Sequence, residues 1–337
     1  IYYLSLNNFI LNNFLLKILF HIFRPFLFFI SIFQMIIILK KINFDTLIGN
    51  CGGYGNFRTE VAGILASKIL RKKKLNLLIH HNYSKPKIWV YIINIIDFIL
   101  SKSIKNLIFI SHATKKSIIE NTKLGNCPKR NLFIIYNGIL LKKVKNKKVS
   151  YFNSNNQFLK IGMLARIQEY KGQLDLIEGF SRLPKKMQSQ YRVYLIGRGS
   201  EKDEKLLNFK ISTYKLKPYI KHIKYINADS LLILKNLDLY FSLTRDFEGS
   251  GYSIAESLYM GVPVVSTKVG GVVEFLNKDN SELINPNDIK SITKILEEFP
   301  LNKRKWRKKA NLGKKLIIKK FNSEEMSKKF YNVIFSS

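Results

Sequence analysis

Short apolar runs alternate along the chain with stretches whose apolar positions recur every three or four residues, the pattern of strands alternating with helices. FDTLIGN at 44–50, KLNLLIHH at 74–81, NLIFIS at 106–111 and NLFIIYNGI at 131–139 predict one series of buried strands. FLKIGML at 158–164, YRVYLI at 191–196, IKHIKYIN at 220–227, a run ending at Leu243 and VPVVS at 262–266 predict a second. Strand, turn, helix, strand in repetition is the βαβ unit, so both series predict parallel sheets of an α/β fold. Residues 141–157 are rich in Lys, Asn and Ser with almost no apolar periodicity, which marks a linker. The pattern thus predicts a first domain over 1–140, the linker, a second domain over 158–318 and a last helical segment over 319–337.

Residues 9–39 are the most apolar stretch. Lys17, His21, Arg24 and Pro25 interrupt it and leave only Phe26 to Leu39 uncharged. The uninterrupted run is thus too short for a span, and Phe26 to Leu39 is expected as either a buried helix or one lying in a membrane interface beside Lys40 and Lys41. Near the C-terminus, Phe321, Asn322 and Ser323 separate two basic helices, with Ser323 expected as the N-cap.

Chemistry-bearing residues gather where strands end. Glu248, Gly249 and Gly251 form a loop between a strand and a helix beginning near Ser253, and Glu256 stands one turn into that helix. Open α/β sheets place ligands at such carboxyl ends, and a helix start suits a phosphate. Arg166 and Lys171 follow another strand, Gly197 and Gly199 a third, and the pair His80 and His81 ends a strand of the first series. Alternation along a strand allows only one of the two histidines to face a ligand, without saying which. Gly52 and Gly53 mark a turn that either stands bare or approaches a ligand.

A formal charge of +34 changes the picture less than its size suggests, because the lysines are spread along the chain. It is read either as compositional drift with a basic surface or as attraction to an anionic membrane or glycan. No helix-turn-helix, zinc or aromatic RNA-binding motif accompanies the charge, so nucleic acid is not an expected partner. Cys51 and Cys127 lack metal-ligand spacing and five histidines form no zinc motif, which argues for a reducing compartment and against a bound metal. No signal-peptide pattern is evident.

Glu248 and Glu256, followed by GVPVV and by GGVVE ending at Glu274, together resemble the donor site of the retaining glycosyltransferases of family 4, and GMLARIQEYKG, with Arg166 and Lys171, is similar to that family's basic loop. The likeness is strong from about residue 130 onward. It implies the GT-B arrangement, two facing Rossmann-like domains with an interdomain cleft, a first domain lacking its first unit, and a final helix crossing back to that domain. It further implies transfer of a sugar, with retention, from a nucleotide-diphosphate sugar to a glycan or lipid-linked acceptor, without metal or cofactor. On that reading Arg166, Lys171 and the helix start at Tyr252 and Ser253 stabilise the departing phosphate, and Glu248 holds the sugar. Glu256 holds the ribose, while Gly197, Gly199, Gly249, Gly251 and Asn227 line the nucleotide; His80 or His81, with Gly52 and Gly53, faces sugar and acceptor. Ser250 and Ser257 depart from the family's usual aromatic and alanine. UDP and GDP are not distinguished. Surface polysaccharide or lipopolysaccharide synthesis at the cytoplasmic face of the plasma membrane is the implied setting. A sugar-nucleotide epimerase of the same fold and a non-enzymatic protein binding membrane or polyanion are the alternatives.

Overall fold

The structure is a computed structural model that describes residues 14–55, 58–72, 74–85, 89–128, 131–144, 152, 157–226 and 228–335. Asn227 and most of the expected linker lie outside the described residues. The chain divides into two units, Ile1–Ile135 with Phe330–Ser337, and Tyr136–Lys329.

The first unit opens with α1 (Phe14–Lys40) and continues through β1 (Thr46–Cys51), α2 (Thr59–Ile69), β2 (Lys74–Ile79), α3 (Val90–Ser103), β3 (Asn106–Phe109), α4 (His112–Asn121) and β4 (Leu132–Ile134). Its strands are all parallel and lie side by side in the order β1-β2-β3-β4. Alternation sends Leu75, Leu77, Ile79, Leu107 and Phe109 into one core with Phe28, Ile32 and Leu39 of α1 and Val61, Ile64 and Leu65 of α2. The opposite orientation buries Asn76 and Asn106, which satisfy each other at 2.8 Å, while Asn106 also donates to the Val333 carbonyl at 2.9 Å. Ser111 caps α4 by accepting from the Thr114 amide at 3.1 Å.

The interruptions at Arg24 and Pro25 do not bound the helix: α1 runs through Pro25, and Ile22–Lys40, longer than the stretch Phe26 to Leu39 read from the sequence, forms 19 residues of mean hydropathy 2.2, long and apolar enough by composition to cross a membrane. An internal proline removes one backbone hydrogen bond and crowds the preceding turn. Packing of Phe28, Ile32 and Leu39, each no more than 9% exposed, holds the helix together past that defect.

The second unit runs β5 (Leu159–Leu164), α5 (Gln173–Ser181), α6 (Lys185–Gln188), β6 (Tyr191–Ile196), α7 (Glu201–Thr213), β7 (Ile220–Ile223), α8 (Ser230–Lys235), β8 (Leu239–Ser242), α9 (Tyr252–Tyr259), β9 (Val264–Thr267), β10 (Glu282–Ile284), α10 (Ile289–Glu298) and α11 (Lys303–Lys320), followed by α12 (Ser323–Phe335), whose last residues belong to the first unit. All six strands are parallel, in the order β10-β9-β8-β5-β6-β7. Odd-numbered strand residues such as Ile161, Val193, Leu195 and Phe241 pack against α5, α7 and α10. Even-numbered ones such as Tyr194, Ile196 and Tyr240 pack against α8, α9 and α11. Helices therefore cover both faces, as continuous apolar strands require. The order reverses between β5 and β8, so the loops leaving these two strands open at a topological switch point. The α12 cap also differs from expectation: Asn322, one residue earlier than Ser323, accepts from the Glu325 amide at 2.8 Å.

Candidate active site

The loop after β5 carries Arg166 and Lys171, and the loop after β8 carries Thr244, Arg245 and Glu248. Because β5 and β8 are neighbours, residues more than seventy positions apart meet. Lys171 Nζ lies 2.8 Å from Glu248 Oε2, with both side chains largely buried. Thr244 Oγ1 donates to the same carboxylate at 3.3 Å. Two glycines make the approach possible. Gly172, at φ +77°, lies so close to the Leu243 carbonyl that a Cβ would sit 2.2 Å from its oxygen. Gly270, at φ +55°, leaves a Cβ no room beside Glu248 O, and the Gly271 amide donates to that same oxygen at 2.8 Å. The second glycine pair thus clamps the backbone of the glutamate loop.

A second ionic contact braces the same loops. Arg245 forks onto Asp175 at 3.1 Å and 2.5 Å, and its amide donates to the Tyr170 carbonyl at 2.7 Å. Asp175 is buried, and its hydrogen bond and charge raise the already high pKa of the guanidinium. Arg166 donates to Tyr170 Oη at 3.1 Å, while its carbonyl accepts from Gln173 Nε2 at 2.8 Å.

Glu256 is held from α8: Ser230 Oγ donates to Oε1 at 2.9 Å. Burial raises the Glu256 pKa from its ordinary value, Asp229 adds to the rise, and Ser230 and Lys142 oppose it. Lys142 pairs directly with Asp229, lowering the latter's pKa, and Asp229 caps α8 at the Leu231 amide. Beneath the site the fully buried Tyr240 places its hydroxyl 2.7 Å from Ser253 Oγ.

Arg166, Lys171, Glu248, Gly251, Tyr252, Ser253 and Glu256 line one cavity of about 310 Å³. Arg166 also lines an adjoining one of about 450 Å³ with Gly197 and Gly199. Gly249 borders the site through Tyr252. His80, His81, Gly52 and Gly53 belong to the first unit, where His80 Nε2 lies 2.7 Å from Asn50 Oδ1 and burial lowers its pKa. Asn227 lies outside the described residues. Among the described residues no group of three His, Cys, Asp or Glu is placed to hold a metal ion.

Sequence reasoning missed Thr244, Arg245, Asp175 and Ser230. The available signal was Asp175 in the first turn of an apolar helix, an acid whose position on the buried side demands a cation.

Two cations, a carboxylate in contact with one of them and a helix start around a common cavity are suited to hold a phosphorylated ligand beside an acceptor of hydrogen bonds from hydroxyls. Known proteins resemble this chain in sequence and in fold. An uncharacterized glycosyltransferase of Methanocaldococcus jannaschii is 25% identical over 301 residues, covering 83% of this chain and 73% of the relative. The O-antigen biosynthesis glycosyltransferase WclY of Escherichia coli is 25% identical over 252 residues, covering 73% of this chain and 62% of that one. The crystal structure of Anabaena HepE in complex with UDP and glucose superposes with a TM-score of 0.77 at 19% identity, over 91% of this chain and 81% of HepE. A glycosyltransferase from Rickettsia africae gives 0.74 at 19% identity, over 93% and 83%. The fold is accordingly that of the GT-B glycosyltransferases. The family described as Glycosyl transferases group 1 matches residues 144–330, which include every residue of the cavity and more than half of the chain, and the protein belongs to that family.

Proposed function

We propose that the chain is a retaining, metal-independent transferase of the family 4 type, moving a sugar from a nucleotide-diphosphate sugar to a hydroxyl of a glycan or lipid-linked acceptor. The observation that carries this reading is the Lys171–Glu248 contact at the switch point, with Arg166 and the start of α9 in the same cavity.

In the reaction the bond from the anomeric carbon to the phosphate oxygen breaks, the electron pair leaves with the diphosphate, and the acceptor oxygen bonds to the same carbon while its proton passes to the departing phosphate. Negative charge grows on the leaving phosphate while positive charge grows on the sugar. Arg166, Lys171 and the first amides of α9 answer the former. Glu248 hydrogen-bonds the sugar hydroxyls and answers the latter. Since Lys171 and Glu248 neutralise each other when alone, a donor that sets phosphate against one and sugar against the other exchanges their contact for two. This favours the transition state, where both charges are largest, over the ground state. Glu256, poised by Ser230, holds the ribose hydroxyls, and Gly197, Gly199, Gly249 and Gly251 line the nucleotide. His80 or His81, with Gly52 and Gly53, contributes toward the acceptor. The Anabaena protein's complex with UDP-glucose makes UDP-sugars the first donors to try, and the O-antigen biosynthesis of WclY makes a surface polysaccharide the first acceptor class to try.

Calorimetric titration with UDP and GDP, without divalent metal, tests the reading beside Glu256→Ala. The expected result is binding of one nucleotide, weakened about tenfold or more by the substitution, as loss of a hydrogen bond to a charged group implies. Equal affinity in both proteins would remove Glu256 from the ribose.

A further inference from the structure

α1 is apolar on two sides. Its inner side is part of the first unit's core. On its outer side Phe23, Phe26, Phe29, Phe33, Ile37 and Ile38 are 44–65% exposed. Spacings of three and four place Phe26, Phe29, Phe33 and Ile37 in one row along the axis. No charged residue occurs from Phe26 to Leu39, and of the segment Ile22–Lys40 only Pro25, Phe28, Ile32 and Leu39 are buried. An apolar row of this kind marks an interaction surface.

Three occupants compete, and packing and charge separate them. If α1 crossed a bilayer, it would draw Phe28, Ile32 and Leu39 away from Val61, Ile64 and Leu65 and open the core. α1 is therefore placed to lie along a membrane rather than through it. Charge decides between a leaflet and a second copy. Residues 1–135 hold nineteen lysines and arginines against four acids, Asp45, Glu60, Asp97 and Glu120. Two copies meeting at this face would bring like charges together, whereas an anionic leaflet offers hydrocarbon to the rings and negative headgroups to the cations. Lys40 and Lys41 stand exposed at the end of the row. α3 repeats the arrangement: Tyr91, Ile95 and Phe98 are 86%, 60% and 47% exposed, and Lys102 lies 4.2 Å over the Phe98 ring.

We propose that the outer row of α1 docks onto a leaflet rich in anionic phospholipid, Phe26, Phe29 and Phe33 entering the acyl boundary and Lys40 and Lys41 meeting the headgroups. The inference stands apart from the reading of the donor cavity, which involves none of these residues.

Flotation of the whole chain tests it, using vesicles of phosphatidylcholine with phosphatidylglycerol and vesicles of phosphatidylcholine alone. The chain is expected to float with the mixed vesicles. Phe26→Asp with Phe33→Asp, both at exposed positions, should reduce partitioning at least tenfold, Lys40→Glu with Lys41→Glu should reduce it severalfold, and Phe209→Asp in α7 should leave it unchanged. Circular dichroism checks that each variant is folded. The proposal is overturned if the wild type stays with the soluble fraction, or if the phenylalanine variant floats as well as the wild type, which would mean adsorption through charge alone. It is equally overturned if, without lipid, the wild type dimerises, the phenylalanine variant is monomeric and neither floats.

Discussion

The two sheets of this protein are built from the same parts and arranged differently. The first advances in one direction, β1-β2-β3-β4, while the second reverses between β5 and β8. Where a parallel sheet reverses, the two adjacent loops at its carboxyl edge lead to helices on opposite faces and leave a crevice between them. The second unit fills that crevice with Arg166, Lys171, Glu248 and Glu256. The described strands of the first contain no reversal, and its distinctive surface is the apolar side of α1 and α3. Strand order, more than composition, decides which sheet gathers ionic chemistry.

The sharpest way to break this contrast is Glu248→Gln, which keeps the size of the side chain and removes the charge facing Lys171. Turnover of the donor is expected to fall about 10²- to 10³-fold, the scale of losing one preorganised charge partner, with a smaller change in nucleotide affinity. A variant within threefold of the wild type in steady-state rate would move the reaction away from the switch point. Next in size is Arg245→Ala. Removing it strands Asp175 in the interior, and denaturant unfolding should show a loss of about 3–5 kcal/mol. Asp175→Asn with Arg245→Met should recover part of that stability without restoring turnover, because the loops would lose the contact that registers Lys171 against Glu248. Full recovery of turnover would reduce the fork to a stabilising contact only.

What could be read from the sequence, and what could not, follows the same division. Strands and helices were legible because each is a local pattern, and the glutamate loop was legible because its glycines, carboxylates and helix start lie within about ten residues. The Lys171–Glu248 and Arg245–Asp175 contacts join residues 77 and 70 positions apart. They exist only because β8 pairs with β5, and a repeated βαβ pattern does not state strand order. The extent of α1 was hidden for a related reason: Pro25 interrupts the apolar run in the sequence, yet packing of Phe28 and Ile32 carries the helix past it, which a linear pattern does not weigh. Asn322 and Ser323 are both good caps side by side, and only the position of the first helical turn decided between them.

A third test belongs to the first unit, which has its own buried acid. Asp97 accepts from Tyr54 Oη at 2.6 Å, and burial raises its carboxyl to about 6, against the opposing pull of that hydrogen bond and of the Lys123 backbone. A carboxyl raised in the folded state contributes stability that is fully present below its unfolded pKa, near 4, and is lost as pH rises through about 6. His80, whose pKa burial lowers, acts in the opposite direction, so the comparison must be between variant and wild type at each pH. Asp97→Asn should raise the stability of the first unit at pH 7.5 by about 2 kcal/mol, with the gain vanishing near pH 4. A gain of equal size at both pH values would trace the effect to packing instead.

The smallest effect concerns α12, the one helix among those described whose residues fall in both units. Asn322 holds the Glu325 amide through its side chain, and its carbonyl accepts from Met326 at 3.1 Å, so it stands where the first turn needs a partner. Ser323, already helical, has its amide bonded to the Ile139 carbonyl at 2.9 Å. Asn322→Ala is therefore expected to reduce stability by about 1 kcal/mol, and Ser323→Ala by no more than a few tenths. Denaturant unfolding distinguishes the two. If the serine variant were the weaker protein, the helix would begin one residue later in solution, and Ser323 would be its cap.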